Sequence, residues 1–144
     1  MPPEESPLTR VQNSFANQGM MQHLGATLTR VEVGLCEITL PYSNKVTQQQ
    51  NGFHGGAITA IADIAAGYAG LTLAPAGMEV TSVEFKINFL AAFQSGVLRA
   101  TGHVVKAGRR LIVTTAEVAH IDANGKESAC AVMQQTLMVV PKNY

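Results

Sequence analysis

A chain of 144 residues with ten basic and ten acidic side chains has no formal net charge. With no block of like charge, it offers neither nucleic acid nor an anionic lipid surface an electrostatic footing. The length is that of one ordinary domain, enough to bury about two-thirds of the unfolded surface around a single core. The expected partner is therefore a small molecule or a second copy of the chain. Cys36 and Cys130 are far apart, lack a CxxC or metal-ligand spacing and lie in apolar-alternating segments. They read as buried free thiols of a reducing cytosol. "MPPEESPLTR" has neither a basic n-region nor an apolar h-region, so a cytoplasmic protein is expected rather than an exported one.

Residues 8–22 read as a loosely amphipathic helix with Leu8, Val11, Phe15 and Met20 on one side, packed at an edge. From Leu24 to Leu40 an alternating pattern interrupted at Gly34 predicts two strands and a tight turn, ended by Pro41. After the polar loop "SNKVTQQQNGF", a long helix is expected from about Gly55 to Thr72, stopped by Pro75 and Gly77. Residues 57–74 are almost uniformly apolar, yet they are Ala and Gly rather than Leu and Val, with Asp63 at their centre. A central charge costs about 3 kcal/mol in a bilayer, so a buried helix of a globular protein is the better reading.

"MEVTSVEFKINFLAAF" predicts a long strand with Val83, Phe85, Ile87 and Phe89 on one face and Ser82, Glu84, Lys86 and Asn88 on the other. Turn signals at "QSG", "KAGRR" and "DANGK" separate three more strands near 97–106, 110–121 and 127–140, the last apolar on both faces. The order α, β, β, long α and four β predicts an α+β fold, a mostly antiparallel sheet curled around the small-residue helix.

That helix has two stripes. Ile58, Ile61, Ala65 and Tyr68 make a bulky one for the core, while Gly56, Thr59, Ala60, Asp63, Ala66, Gly67 and Gly70 leave a shallow channel. Asp63 is the only formally charged residue between Lys45 and Glu79. It is either a carboxylate satisfied by a neighbouring hydroxyl or amide, holding the helix in register, or a reactive group, since isolated acids cluster at active sites. "HGG" places His54 at the helix cap and Gly55 and Gly56 in the first turn, where N–H groups lack intrahelical partners and the dipole is positive. Such amides can polarise a carbonyl oxygen, although a tight helix entry explains the glycines equally well. Gly55 and Asp63 lie eight residues apart, about 12 Å along a helix, too far for one carbonyl to touch both. If both serve one reaction, they come from two subunits with antiparallel helices side by side. The four histidines, His23, His54, His103 and His120, show no ligand spacing, so no metal is expected.

"QQQNGFHGGAITAIADIAAG", followed by "VTSVEFKINFLAA", "KAGRRLIV" and "DANGK", resembles the hotdog-fold acyl-CoA thioesterases of the phenylacetate-pathway (PaaI-like) type, in the 4-hydroxybenzoyl-CoA thioesterase superfamily. The resemblance spans roughly residues 20–140, within one hotdog domain of residues 1–144 that carries an N-terminal helical extension over 1–20. It implies that Asp63 is the catalytic carboxylate, as general base or nucleophile, and that the Gly55 N–H polarises the thioester carbonyl. It implies a water- or substrate-positioning role for Gln48, where relatives carry Asn, and a water-assisting role for Ser82. His54 either orients the loop or joins the catalytic set. Asn51, Gly56, Thr81 and Phe89 are implied as substrate contacts. Arg109 and Arg110 either approach the coenzyme A phosphates or belong to a plain exposed turn. The resemblance further implies a homodimer with shared sites, often paired into a tetramer, and no cofactor beyond the coenzyme A of the substrate. A hotdog enoyl-thioester hydratase or dehydratase is the second reading, and a non-catalytic acyl-CoA-binding module the third. Neither aryl nor aliphatic acyl preference is legible.

Overall fold

A computed structural model describes residues 5–144. Helices α1 (Pro7–Ala16) and α2 (Gly19–Leu24) lead into the hairpin β1 (Thr27–Glu32) and β2 (Leu35–Pro41). A short 3-10 turn at Asn44–Val46 precedes the long α3 (Gly55–Leu71), and β3 (Met78–Phe89), β4 (Val97–Ala107), β5 (Leu111–Ile121) and β6 (Glu127–Pro141) follow. The strands form one six-stranded sheet in the order β1-β2-β4-β5-β6-β3, and every pairing is antiparallel. The sheet curls around α3, the hotdog arrangement.

Gly67, Gly70 and the β-branched Ile residues lower the intrinsic helix propensity of the 17-residue α3, so packing against the sheet, rather than propensity, stabilises it. Ile58, Ile61, Ala65 and Tyr68 are all buried, as the bulky stripe requires. Each buried Ile contributes about 1.5–3 kcal/mol. The small stripe differs from expectation at two places: Ala66 and Gly70 are buried too. A side chain at position 70 would meet Leu137 Cδ1 at 2.3 Å, so Gly70 faces the sheet rather than a channel. At Gly102 of β4 an added Cβ would lie 2.4 Å from the Ala65 carbonyl, so helix and strand backbones touch there.

The N-terminal segment is two helices rather than one. Ser6 caps the start of α1 by accepting from the Thr9 N–H, and the chain leaves the helical region at Asn17 and Gln18. The break rotates the second piece, so Met21 is buried while Met20 is 60% exposed. Val11 is buried and Phe15 packs partly on the core, but Leu8 is exposed.

Two strand readings also change. The long strand ends at Phe89, and residues 90–96 form a loop. β6, apolar on both faces as read, buries only one of them: Met133, Gln135 and Leu137 are buried, while Val132 and Met138 are exposed. Most important for function, β3 contains a bulge. Ser82 pairs with Leu137 and Glu84 with Thr136, leaving Val83 extra. A one-residue bulge exchanges the faces of everything beyond it. Ser82 therefore lies on the same, helix-facing side as Phe85, Ile87 and Phe89, which simple alternation had separated.

Candidate active site

Two clusters of polar groups sit along α3, one at its N-terminus and one at mid-length. His54 is the N-cap, with extended backbone (φ −65°, ψ 134°), and its ring Nδ1 accepts from the Gly56 N–H at 2.8 Å. The cap thus uses one of the first-turn amides. A Cβ on residue 56 would come within 2.9 Å of that nitrogen, so only glycine leaves room for the imidazole. The Gly55 N–H has no acceptor among the described residues. It stands at the positive end of the helix dipole, next to a cavity of about 350 Å³ lined by Gln48, Phe53, Gly55, Ile58 and Phe89. The tip of the Phe89 ring, 3.3 Å from where a Gly55 Cβ would sit, forms one wall.

Gln48 is fixed by a turn. Its N–H donates to the Gly52 carbonyl at 3.0 Å, and its side-chain Oε1 accepts from the Gln50 N–H at 2.5 Å. Its Nε2 lies over Gly52 and has no acceptor among the described residues, leaving one amide donor beside the Gly55 cavity. Asn51 holds the positive φ (65°) of that turn and its carbonyl accepts from the Tyr42 hydroxyl at 2.6 Å. It shapes the loop and does not line the cavity beside Gly55.

Asp63 lies two turns farther along. Its Oδ1 accepts from Ser82 Oγ at 2.7 Å and from Gln135 Nε2 at 2.5 Å. The carboxylate is half-buried, and it opens with Ser82, Gly67, Tyr68 and Glu79 onto a second cavity of about 250 Å³. The wall farthest along α3 is built by the N-terminal extension: the Tyr68 hydroxyl is held by Ser14 at 3.0 Å and by Gln18 at 3.1 Å. Burial pushes the Tyr68 phenol above its ordinary range, and these two hydrogen bonds partly offset that.

The structure therefore brings Asp63 and Ser82 together and, separately, Gln48 and Gly55 with Phe89. His54 and Gly56 face a third concavity with Lys45 and His23. Thr81 is exposed on β3 opposite Met138, on the face of the sheet turned away from α3. Arg109 and Arg110 are exposed in the β4–β5 turn and line neither the Gly55 nor the Asp63 cavity. Gln135 and its neighbour Thr114, whose Oγ1 donates to Gln135 Oε1 at 3.0 Å, are polar residues missed in the sequence. The available signal was the pair Gln134–Gln135: in a strand of period two, one of two adjacent residues must point inward.

Residues 50–124, a stretch from the turn before α3 to the β5–β6 hairpin, match the thioesterase superfamily. A thioesterase family protein from Silicibacter pomeroyi superposes with a TM-score of 0.90 at 36% identity, over 95% of this chain and 100% of its own. A Saccharolobus solfataricus protein carrying a provisional esterase name is 32% identical over 129 residues, covering 89% of this chain and 90% of its own length. The proofreading thioesterase EntH of Klebsiella pneumoniae is 30% identical over 98 residues, 68% of this chain and 72% of its own.

Proposed function

The chain belongs to the thioesterase superfamily and is a thioester hydrolase, and from that premise we propose that it cleaves an acyl-CoA at sites completed by two copies of the chain. The observation that carries this reading is the separation of two complementary halves on one helix. A free N–H at Gly55 and a carboxylate at Asp63 open onto different cavities, about 12 Å apart along α3. Two α3 helices running antiparallel side by side would bring Gly55 of one copy opposite Asp63 of the other. The means of pairing is β3, an edge strand of 12 residues with Val83, Phe85 and Phe89 all more than 40% exposed. Long apolar edges are templates for pairing with another chain, and an edge-to-edge dimer would extend the sheet across both copies.

In the proposed reaction the acyl carbonyl oxygen accepts from the Gly55 N–H, with Gln48 Nε2 beside it. Asp63 acts as general base: water attacks the carbonyl carbon while its proton passes to the carboxylate, and the oxyanion is held by the backbone donor. The C–S bond then breaks, the proton passes to the sulfur, and free acid and coenzyme A thiol leave. Ser82, bonded to Asp63 Oδ1, holds the carboxylate beside the water. This reaction requires no cofactor. His54 serves by capping the helix whose end carries the Gly55 donor.

Thiol release from short, medium, long and aromatic acyl-CoAs, followed with a disulfide dye, tests the reading with wild type and Asp63→Asn in parallel. Release by wild type, reduced at least about 100-fold in a folded Asp63→Asn, is the expected result. An unreduced rate in the variant removes Asp63 from the mechanism, and a monomeric mass under native conditions removes the shared site.

A further inference from the structure

We infer that Gln135, anchored by Thr114, is a positioning residue for hydrolysis: it holds Asp63 so that Oδ1 is engaged by the protein and Oδ2 alone is presented to the reacting water. This rests on the reading of Asp63 as the catalytic carboxylate. Gln135 is 1% exposed and Thr114 is fully buried, on β6 and β5 beneath α3. Met133 and Leu137, the next inward-facing residues of the strand, are buried and apolar, so packing alone would be served by Leu or Met at 135. The amide earns its place through hydrogen bonds, since a buried amide is tolerated only when its donors and acceptor are used.

All of them are used, in one direction. Thr114 Oγ1 donates to Gln135 Oε1 at 3.0 Å, and Gln135 Nε2 donates to Asp63 Oδ1 at 2.5 Å. The same Nε2 is 3.2 Å from Ser82 Oγ and 3.4 Å from the Asp63 backbone carbonyl, which occupy its second proton. Turning the amide over would set Oε1 against the carboxylate oxygen, two lone-pair-bearing atoms in contact, so the NH2 group must face Asp63. Ser82 Oγ donates to the same Oδ1 at 2.7 Å. With two donors converging on one oxygen, rotation of the carboxylate about its broad terminal torsion breaks both bonds at once. Oδ2 has no donor among the described residues, and Asp63 lines the cavity. Thr114 and Gln135 are not among the residues lining that cavity, so their influence on the reaction passes through the two lining residues that Gln135 bonds, Asp63 and Ser82.

Four variants test this by kcat and KM on the acyl-CoA that wild type turns over fastest, with thermal melts alongside. Gln135→Met keeps length and volume without the donor. Its kcat is expected to fall about 10- to 100-fold, the scale of a small misplacement of a reacting group, with KM within about threefold of wild type. Thr114→Val keeps volume without the hydroxyl and should lower kcat about 3- to 10-fold, while Thr114→Ser keeps the hydroxyl, loses a buried methyl, and should melt lower yet retain most of kcat. A purely structural role would lower the melting temperature of both Thr114 variants, Thr114→Val by leaving Gln135 Oε1 unpaired, and would leave kcat of the folded enzyme at the wild-type value. The double variant Thr114→Val/Gln135→Met should be no slower than Gln135→Met alone, because Thr114 acts through Gln135. Wild-type kcat in Gln135→Met, or multiplying effects in the double variant, overturns the inference. If Gln135→Met does not fold, kcat of folded Thr114→Val decides: a loss of about 3- to 10-fold that Thr114→Ser does not share supports the inference, and a wild-type value overturns it. An active Asp63→Asn would instead sink the reading of Asp63 itself, whereas an inactive Asp63→Asn beside a fully active Gln135→Met sinks only this inference.

Discussion

Gly55→Pro removes one hydrogen-bond donor and little else. Gly55 is the first residue of α3, the position at which proline is favoured because its missing N–H would have no intrahelical acceptor. Proline also confines the preceding residue to extended backbone, and His54 is already there at φ −65° and ψ 134°. The Gly55 N–H bonds nothing among the described residues, so no internal hydrogen bond is lost. The new Cβ would stand 3.3 Å from Phe89 Cζ, and that ring, 52% exposed, has room to give by a few tenths of an ångström. Restricting the unfolded chain should add about 0.4–1 kcal/mol of stability, a rise in Tm of roughly 1–3 °C at this size. The lost carbonyl donor should lower kcat about 10²- to 10³-fold. Thermal melts and thiol release on the same preparation check both signs. Full activity in a folded Gly55→Pro would refute the assignment of the carbonyl donor, and a lowered Tm would refute the claim that this N–H has no structural partner.

Co-expressing Asp63→Asn and Gly55→Pro chains tests the sharing of sites: each homodimer should be nearly inactive, but a mixed dimer holds one intact site, so random pairing should restore about a quarter of wild-type activity. Sites built within a single chain would restore none. Burial pushes the Cys130 thiol up to about 11, and burial with the adjacent Glu37 charge pushes Cys36 up to about 12. The native protein should therefore leave a disulfide dye unreduced near pH 8, and unfolding in guanidinium should release two equivalents; rapid labelling of the native state would contradict the burial. His54→Ala deletes the cap bond to the Gly56 N–H and should cost about 1 kcal/mol in denaturant unfolding, whereas His54→Asp, a better cap, should recover it. A His54→Ala variant as stable as wild type would show that the ring contributes nothing to the cap.

The long helix, its bulky stripe and the three terminal strands were legible because each is a local pattern repeated over ten or more residues. Ile58, Ile61, Ala65 and Tyr68 reach the core as their spacing requires. The glycines of "HGG" were legible as a helix entry, but the division of labour between them was not. That Gly56 is consumed by the His54 ring while Gly55 stays free depends on the rotamer of one imidazole, which no spacing encodes. Helix α1 was extended too far for a similar reason, since nothing apolar is lost from the pattern at Asn17 and Gln18, where the backbone turns.

The polar half of the site was hidden by a single extra residue. Strict alternation along "VTSVEFKINF" sets Ser82 opposite to Phe85 and therefore away from the helix, where it could not reach Asp63. The bulge at Val83 reverses that, because two residues of β3 answer to one of β6 between the Ser82–Leu137 and Glu84–Thr136 pairs. Upstream of it, Val80 and Ser82 face α3; downstream, Phe85, Ile87 and Phe89 do. The same strand can then deliver a hydroxyl to the carboxylate at mid-helix and an aromatic ring to the free amide at the helix start. Without the bulge, a strand that placed Phe89 against Gly55 would turn Ser82 outward, and Gln135 would be the only side chain left to hold Asp63.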